Sequence, residues 1–242
     1  MGDSESLFDG TEPLQRVYMD FSGNYTKRDG AVIDCSKIPG TNGYCDEAAE
    51  KRLRSLIADF SYRGIHFLDS GNYHYLTLLW MEKIREDYSL LLFDNHPDCK
   101  PPAFNLLSCG GWVANALESL PNLQRVYMMG VAPELIDELV SEDMFPEKVT
   151  VLETPEYEKL LGLPVYVSID LDVLRTEDAA CDWDQGRMSI AELTDALRRL
   201  ELCEIPILGA DICGEKKSPT DREKAKNEST VRSILESLPK MG

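Results

Sequence analysis

Apolar runs alternate along this chain with stretches in which apolar residues recur every three to four positions. Leu163-Pro164-Val165-Tyr166-Val167, Ser89-Leu90-Leu91-Leu92-Phe93 and Gly64-Ile65-His66-Phe67-Leu68 show little polar alternation. Such runs read as strands buried on both faces. Further strands are predicted at 15–21, 123–129, 148–152 and 203–212, which makes seven. Residues 46–60 carry Leu53, Leu56, Ile57 and Phe60 at helical spacing, the pattern of an amphipathic helix lying on a sheet. Helices are also predicted over 73–87, 113–120, 133–140, 155–161 and 219–238, and from the capping box Ser189-Ile190-Ala191-Glu192 to Leu200. Strands separated by helices imply right-handed crossovers and a parallel sheet covered on both faces. Residues 22–45, rich in Gly, Asp, Asn and Lys, read as a long loop and a candidate wall of a substrate pocket. Residues 1–14 are polar and read as a mobile lead-in.

A chain of 242 residues suits one α/β domain spanning 1–242. Its 43% hydrophobic and 28% charged content is that of a globular protein, and no apolar run is long enough to span a bilayer. The formal charge of −18 argues against nucleic acid or an anionic membrane as partner, since both would be repelled. The start lacks a positively charged segment followed by an apolar one, so no secretory signal is read. Met1-Gly2 with Ser6 matches the bare N-myristoylation pattern, which is too short to carry weight. Seven cysteines without CxxC pairs read as reduced thiols in a cytoplasmic protein.

The chemistry gathers where the strands end. The run through Val167 closes in Ser168-Ile169-Asp170-Leu171-Asp172, two carboxylates spaced i, i+2. The run through Phe93 leads into Asp94-Asn95-His96-Pro97-Asp98, and the run through Leu68 into Asp69 and then His74. Asp20 and Asp211 close two further strands on this reading. Ligands collect at the carboxyl ends of parallel strands. If Asp94, His96 and Asp98 stay extended, they face one side in steps of about 6.6 Å. With Asp170, Asp172 and His74 they are too many ligands for one tetrahedral zinc, whereas two ions about 3.5–4 Å apart fit the number. An oxygen-rich set with two imidazoles suits Mn2+. His66, inside an apolar strand, reads as a core residue, and so do Tyr75 and Trp112.

Asp94-x-His96-x-Asp98, Ser168-x-Asp170-x-Asp172 and the upstream His74, in that order and with the two motifs about 75 residues apart, resemble the three metal signatures of the arginase/agmatinase (ureohydrolase) family. The resemblance implies a three-layer α/β/α sandwich around a mostly parallel sheet of eight strands, two Mn2+ or other divalent ions, a small-molecule guanidino or amide substrate, and a homo-oligomer. It further implies that His74, Asp94, Asp98 and Asp170 hold one ion and that Asp94, His96, Asp170 and Asp172 hold the other. Asp98 would also hydrogen-bond a bridging hydroxide that attacks the C–N carbon. Three places depart from the family pattern. Cys109-Gly110 stands where many members have a histidine before glycine, so Cys109 is a candidate catalytic residue, with an inert thiol beneath Trp112 as the other reading. Asp211-Ile212-Cys213-Gly214-Glu215 puts glycine where a substrate-pairing acid is usual and Glu215 one residue late, which makes Glu215 the candidate for that role. The segment after Asp172 lacks the proline-rich pattern of arginases. The expected activity is hydrolysis of C–N bonds in linear amidines, with an amidohydrolase or deacetylase on the same fold, or a non-catalytic metal-binding relative, as alternatives.

Overall fold

The computed structural model describes residues 15–25, 28–101, 106–154, 157–160 and 162–241. The lead-in read at 1–14 and the ends of the helix read at 155–161 lie outside these residues; within the latter, Tyr157–Leu160 is a 3-10 turn. The strands are β1 (Arg16–Asp20), β2 (Ala31–Asp34), β3 (Tyr44–Cys45), β4 (Ile65–Phe67), β5 (Tyr88–Phe93), β6 (Leu107–Ser108), β7 (Leu123–Met129), β8 (Val149–Leu152), β9 (Val165–Asp170) and β10 (Ile207–Cys213). Eight of them form one sheet in the order β2-β1-β4-β10-β9-β5-β7-β8, and every described pairing in it is parallel.

The helices are α1 (Glu47–Ile57), α2 (Leu76–Met81), α3 (Trp112–Ser119), α4 (Pro133–Ser141), α5 (Ile190–Leu202) and α6 (Asp221–Ser237). Strand side chains alternate between faces, and the central strands feed two separate cores. Leu90, Leu92 and Tyr166 join residues of α1, α2 and α3 on one face. Leu91, Phe93, Val167 and Ile169 join residues of α5 and α6 on the other. This is the three-layer arrangement the alternation of elements predicts.

Four elements differ from the sequence expectation. The stretch read as a loop at 22–45 contains β2, the eighth strand of the sheet; it is four residues long, half-buried and paired with β1 alone, too short an edge for hydrophobic periodicity to mark. The same stretch ends in β3, which pairs antiparallel with β6 and ties residues 44–45 to 107–108. The helix expected over 73–87 is α2 alone, preceded by a 3-10 turn at Gly71–Tyr73. All six residues of α2 are buried, so no polar face marks its ends. The last strand starts at Ile207, since α5 continues to Leu202 and Glu204 turns the chain at a φ of 53°. Asp211 consequently lies inside β10, two residues short of its end.

His66 is a core residue. Its ring stacks on Trp80 at 3.6 Å, Nδ1 lies 3.0 Å from the Tyr166 hydroxyl, and Nε2 lies 3.1 Å from the Ser61 carbonyl. Burial pushes its pKa down from 6.5 to about 3. A folded-state pKa below the unfolded value gives stability that is present above pH 6.5 and is lost as the pH falls toward 3. We expect metal-free wild type to lose about 3 kcal/mol more between pH 7 and pH 4 than His66→Gln, at 1.36 kcal/mol per unit, measured by urea denaturation. Parallel acid slopes for the two proteins would contradict this.

Candidate metal centre

β4, β10, β9 and β5 are adjacent in the sheet, and the chains leaving β4, β9 and β5 meet over their carboxyl ends. His74 follows the 3-10 turn at Gly71–Tyr73 and is buried. Its Nδ1 lies 3.1 Å from Asp94 Oδ2, 3.2 Å from Asp98 Oδ2 and 3.6 Å from Asp170 Oδ2. Its Nε2 lies 2.9 Å from Ser168 Oγ, whose hydroxyl donates to Asp211 Oδ1 at 2.6 Å. The serine proton is thus committed to Asp211, so Nε2 donates to Ser168 and Nδ1 is the ring nitrogen turned toward three carboxylates. Burial acts downward on this imidazole, but Cys213, Asp94 and Asp98 outweigh it and hold it well above the usual histidine range. Asp211, expected at the metal edge, instead holds the serine that holds His74.

His96 Nδ1 lies 3.0 Å from Asp172 Oδ2 and 3.5 Å from Asp94 Oδ1. Asp94 therefore faces both imidazoles, one with each oxygen. Among the described residues, three groups of donor atoms are close enough to share an ion: His74 with Asp94 and Asp98, Asp94 with His96 and Asp172, and His74 with Asp170 and Cys213. The six residues named from the sequence as metal ligands are brought together, with Cys213 beside them. Backbone geometry supports the arrangement. The Asp172 amide donates to Asp170 Oδ1 at 2.8 Å, the Asn95 amide to Asp172 Oδ1 at 3.2 Å, and the His96 amide to Asp94 Oδ1 at 2.7 Å. Asp98 takes a φ of 47° and accepts the Trp112 indole N–H at 2.7 Å.

The donor set fits divalent cations. Asp94 Oδ2 is buried and accepts no hydrogen bond, although His74 Nδ1 is 3.1 Å away, so this oxygen is open to a cation. Burial, then the neighbouring Asp94 charge, pushes Asp98 up to about 7. Burial, then Asp170 and Asp94, pushes Asp172 well above the usual carboxylate range. On His96 burial acts downward, but the Asp172 and Asp94 carboxylates outweigh it and raise the imidazole to about 11. These shifts follow from burying several acids side by side with two imidazoles among them.

A cavity of about 570 Å³ opens over these residues. Cys109 lines it, half-buried, with its amide bonded to the Gly43 carbonyl at 3.0 Å. Burial, then the Asp98 charge, pushes the Cys109 thiol up to about 12. Glu215 does not line this cavity. Its Oε1 accepts the Tyr25 hydroxyl at 3.0 Å, and it lines a separate cavity with Arg28 and Glu228. Asp69 accepts the Phe21 and Ser22 amides and the Ser22 hydroxyl, and Asp20 accepts the Gly23 and Asn24 amides; both acids hold the turn after β1 and stand apart from the donor groups. Trp112, read as core, is buried but also holds Asp98. Trp183, which sequence reasoning passed over, lines the cavity, bonds Asn72 through its indole N–H at 2.8 Å and meets the His96 ring edge-on at 5.8 Å. No periodicity marks it, as it sits in an irregular segment. Cys213 carried a readable signal, the same i, i+2 spacing from Asp211 that separates Ser168 from Asp170.

No family model matches the chain. An uncharacterized protein of Thermotoga maritima is 36% identical over 180 residues, which cover 74% of this chain and 69% of that one. Among solved structures, proclavaminate amidino hydrolase from Streptomyces clavuligerus superposes with a TM-score of 0.65 at 12% identity, over 93% of this chain and 91% of that one. Trypanosoma cruzi formiminoglutamase with Mn2+ gives 0.62 at 14% identity, over 86% and 75%. Arginases and agmatinases share the same fold. The chain therefore belongs to one family with the Thermotoga maritima protein, and in structure it is a divergent member of the arginase/agmatinase (ureohydrolase) fold.

Proposed function

We propose that this protein hydrolyses a C–N bond other than a peptide bond, in a small guanidino or amide substrate, with two divalent ions at the cavity floor. The observation that carries the reading is Asp94, whose two oxygens lie toward His74 and His96, so that two donor groups share one carboxylate. His74, Asp94, Asp98 and Asp170 would hold one ion, and Asp94, His96, Asp170 and Asp172 the other. Such a pair supplies hydroxide at neutral pH and a clamp for the reacting oxygen or nitrogen. Asp98, fixed by the Trp112 indole, faces the same space and serves as the proton acceptor. Cys109 lies on the cavity wall, where its thiol touches a substrate without holding an ion. The oxygen and nitrogen donors of the His96 group favour Mn2+. The seven free thiols suit a reducing compartment such as the cytoplasm, and no helix of the described residues is long and apolar enough to cross a membrane. We extend the proposal to a homo-oligomer, by resemblance to the fold relatives.

One observation favours an amide over a guanidinium as substrate. Among the described residues lining the cavity, Glu138 is the one carboxylate outside the proposed ligand set, and it pairs with Lys100 at 3.7 Å. A cationic guanidinium beside two dications needs an uncommitted acid, and a neutral amide does not. Tyr44, Leu135, Leu139 and Trp183 on the walls suit an apolar arm on either substrate.

After Mn2+ loading, we expect either urea or ammonia release from a guanidino panel or free amine from N-acylated amines. Turnover of neither class by metal-loaded protein would overturn the hydrolase reading. Elemental analysis after loading and desalting should find about two ions per chain in wild type, near zero in Asp170→Asn and an intermediate content in Asp172→Asn. An Asp170→Asn protein that keeps both ions would remove the shared carboxylate from the account. Ser168→Ala, which frees Nε2 of His74, should weaken Mn2+ binding by roughly 10–100-fold, measured by calorimetric titration; wild-type affinity would mean that the serine does not position His74.

A further inference from the structure

The chain makes a tight bend at the end of β10. Cys213 pairs with Asp170 across the β10 and β9 ladder, and in a parallel pair such partners point to the same face. Gly214 then takes a φ of 92°, and a Cβ there would stand 2.1 Å from Asp170 Oδ1. Only a residue without a side chain lets the backbone wrap this closely round the carboxylate. The bend sets Cys213 Sγ 3.1 Å from Asp170 Oδ2, with the thiol fully buried. His74 Nδ1 lies 3.6 Å from the same oxygen, and the three donors fall within 4.8 Å of one another. Donors on one tetrahedral zinc, at bond lengths of about 2.3 Å for sulfur and 2.0–2.2 Å for nitrogen and oxygen, stand roughly 3.4–3.6 Å apart. The Sγ–Oδ2 and Nδ1–Oδ2 separations are therefore within about half an ångström of that spacing. The same His74 Nδ1 lies 3.1 Å from Asp94 Oδ2, which is buried and accepts no hydrogen bond.

We propose that Cys213 is a ligand of the ion beside His74, so that this position carries a thiolate and takes Zn2+ or Co2+ in preference to Mn2+. The inference rests on the two-ion reading above and names the metal at one of its two positions. On binding, the Sγ–H bond breaks, the proton passes to solvent and a sulfur–metal bond forms, with no change of oxidation state. Soft thiolate donors select Zn2+ over the harder Mn2+, whereas the His96 group, with oxygen and nitrogen alone, keeps the opposite preference. The two positions thus differ in metal preference, and the difference lies in one sulfur.

Metal-stripped protein reloaded with Co2+ without oxygen provides the test. We expect visible cobalt bands together with a near-ultraviolet thiolate-to-cobalt charge-transfer band. Cys213→Ser should lose the charge-transfer band and keep the visible ones, while Cys109→Ser keeps both. Losing even an outer partner of a ligand costs about 10–100-fold in affinity, so Cys213→Ser should also bind Zn2+ at least roughly tenfold more weakly. Visible bands without charge transfer in wild type, or charge transfer that survives in Cys213→Ser, would overturn the thiolate ligand and leave the two-ion reading standing. Absence of any bound cobalt would overturn that reading as well. If Cys213→Ser does not fold, zinc-edge X-ray absorption of the unmutated protein decides, since the proposal requires a sulfur shell at about 2.3 Å.

Discussion

Four carboxylates share one buried space at the end of the sheet, with Asp94, Asp98, Asp170 and Asp172 only 1%, 7%, 2% and 2% exposed. Two like charges about 4 Å apart at an effective dielectric of 20 repel by about 4 kcal/mol. Ionised together, several such pairs would rival the whole stability of a domain, about 5–15 kcal/mol, and burial with this mutual repulsion raises Asp98, Asp170 and Asp172 above the usual carboxylate range. The two imidazoles are too few to balance them, and the serine bonded to His74 keeps Nδ1 turned toward the acids. The neighbourhood is built around positive charge that the protein does not itself supply. Bound divalent cations would meet that need and supply the chemistry proposed.

The scaffold makes this concentration of charge possible by rigid means. Strands buried on both faces fix where the chain leaves the sheet, and the backbone amides of Asn95, His96 and Asp172 hold three of the four carboxylates. The fourth is held by an indole from α3. Behind His74, the Ser168 and Asp211 relay reaches into the sheet itself. The cavity wall comes from elsewhere: the small β3 and β6 pair brings Tyr44 and Cys109 to the rim, and the irregular segment after Asp172 brings Trp183. Floor and wall are thus separate constructions, and the wall is free to set the substrate while the floor is unchanged.

This division explains what the sequence reveals. Seven strands are legible because burial on both faces removes polar alternation, and the acid and histidine motifs are legible because they follow strand ends. They do not stay extended as the spacing suggests: β5 ends at Phe93, Asp98 takes a φ of 47° and Asp172 lies in a 3-10 turn at Leu171–Val173, so bends bring these side chains together. β2 escapes because four half-exposed residues at an edge carry no period. The ends of α2 escape because every residue in it is buried. Asp211 is misplaced by the two residues that separate it from the true end of β10. Contacts made through register, such as Cys213 on Asp170, join residues 43 apart and leave only a faint trace in local spacing. Glu215 shows the converse: its proximity in sequence to the expected acid position does not bring it to the cavity, because the chain reverses at Gly214 and the carboxylate meets Tyr25.

The central claim is that one buried set of carboxylates and imidazoles holds two ions through a shared aspartate. Crystals of metal-stripped protein grown with excess Mn2+ and measured at the manganese absorption edge test it most directly. The account predicts two anomalous peaks about 3.5–4 Å apart, one beside His74 and Asp98 and the other beside His96 and Asp172, with Asp94 between them. A single peak, or none at this end of the sheet, would contradict it.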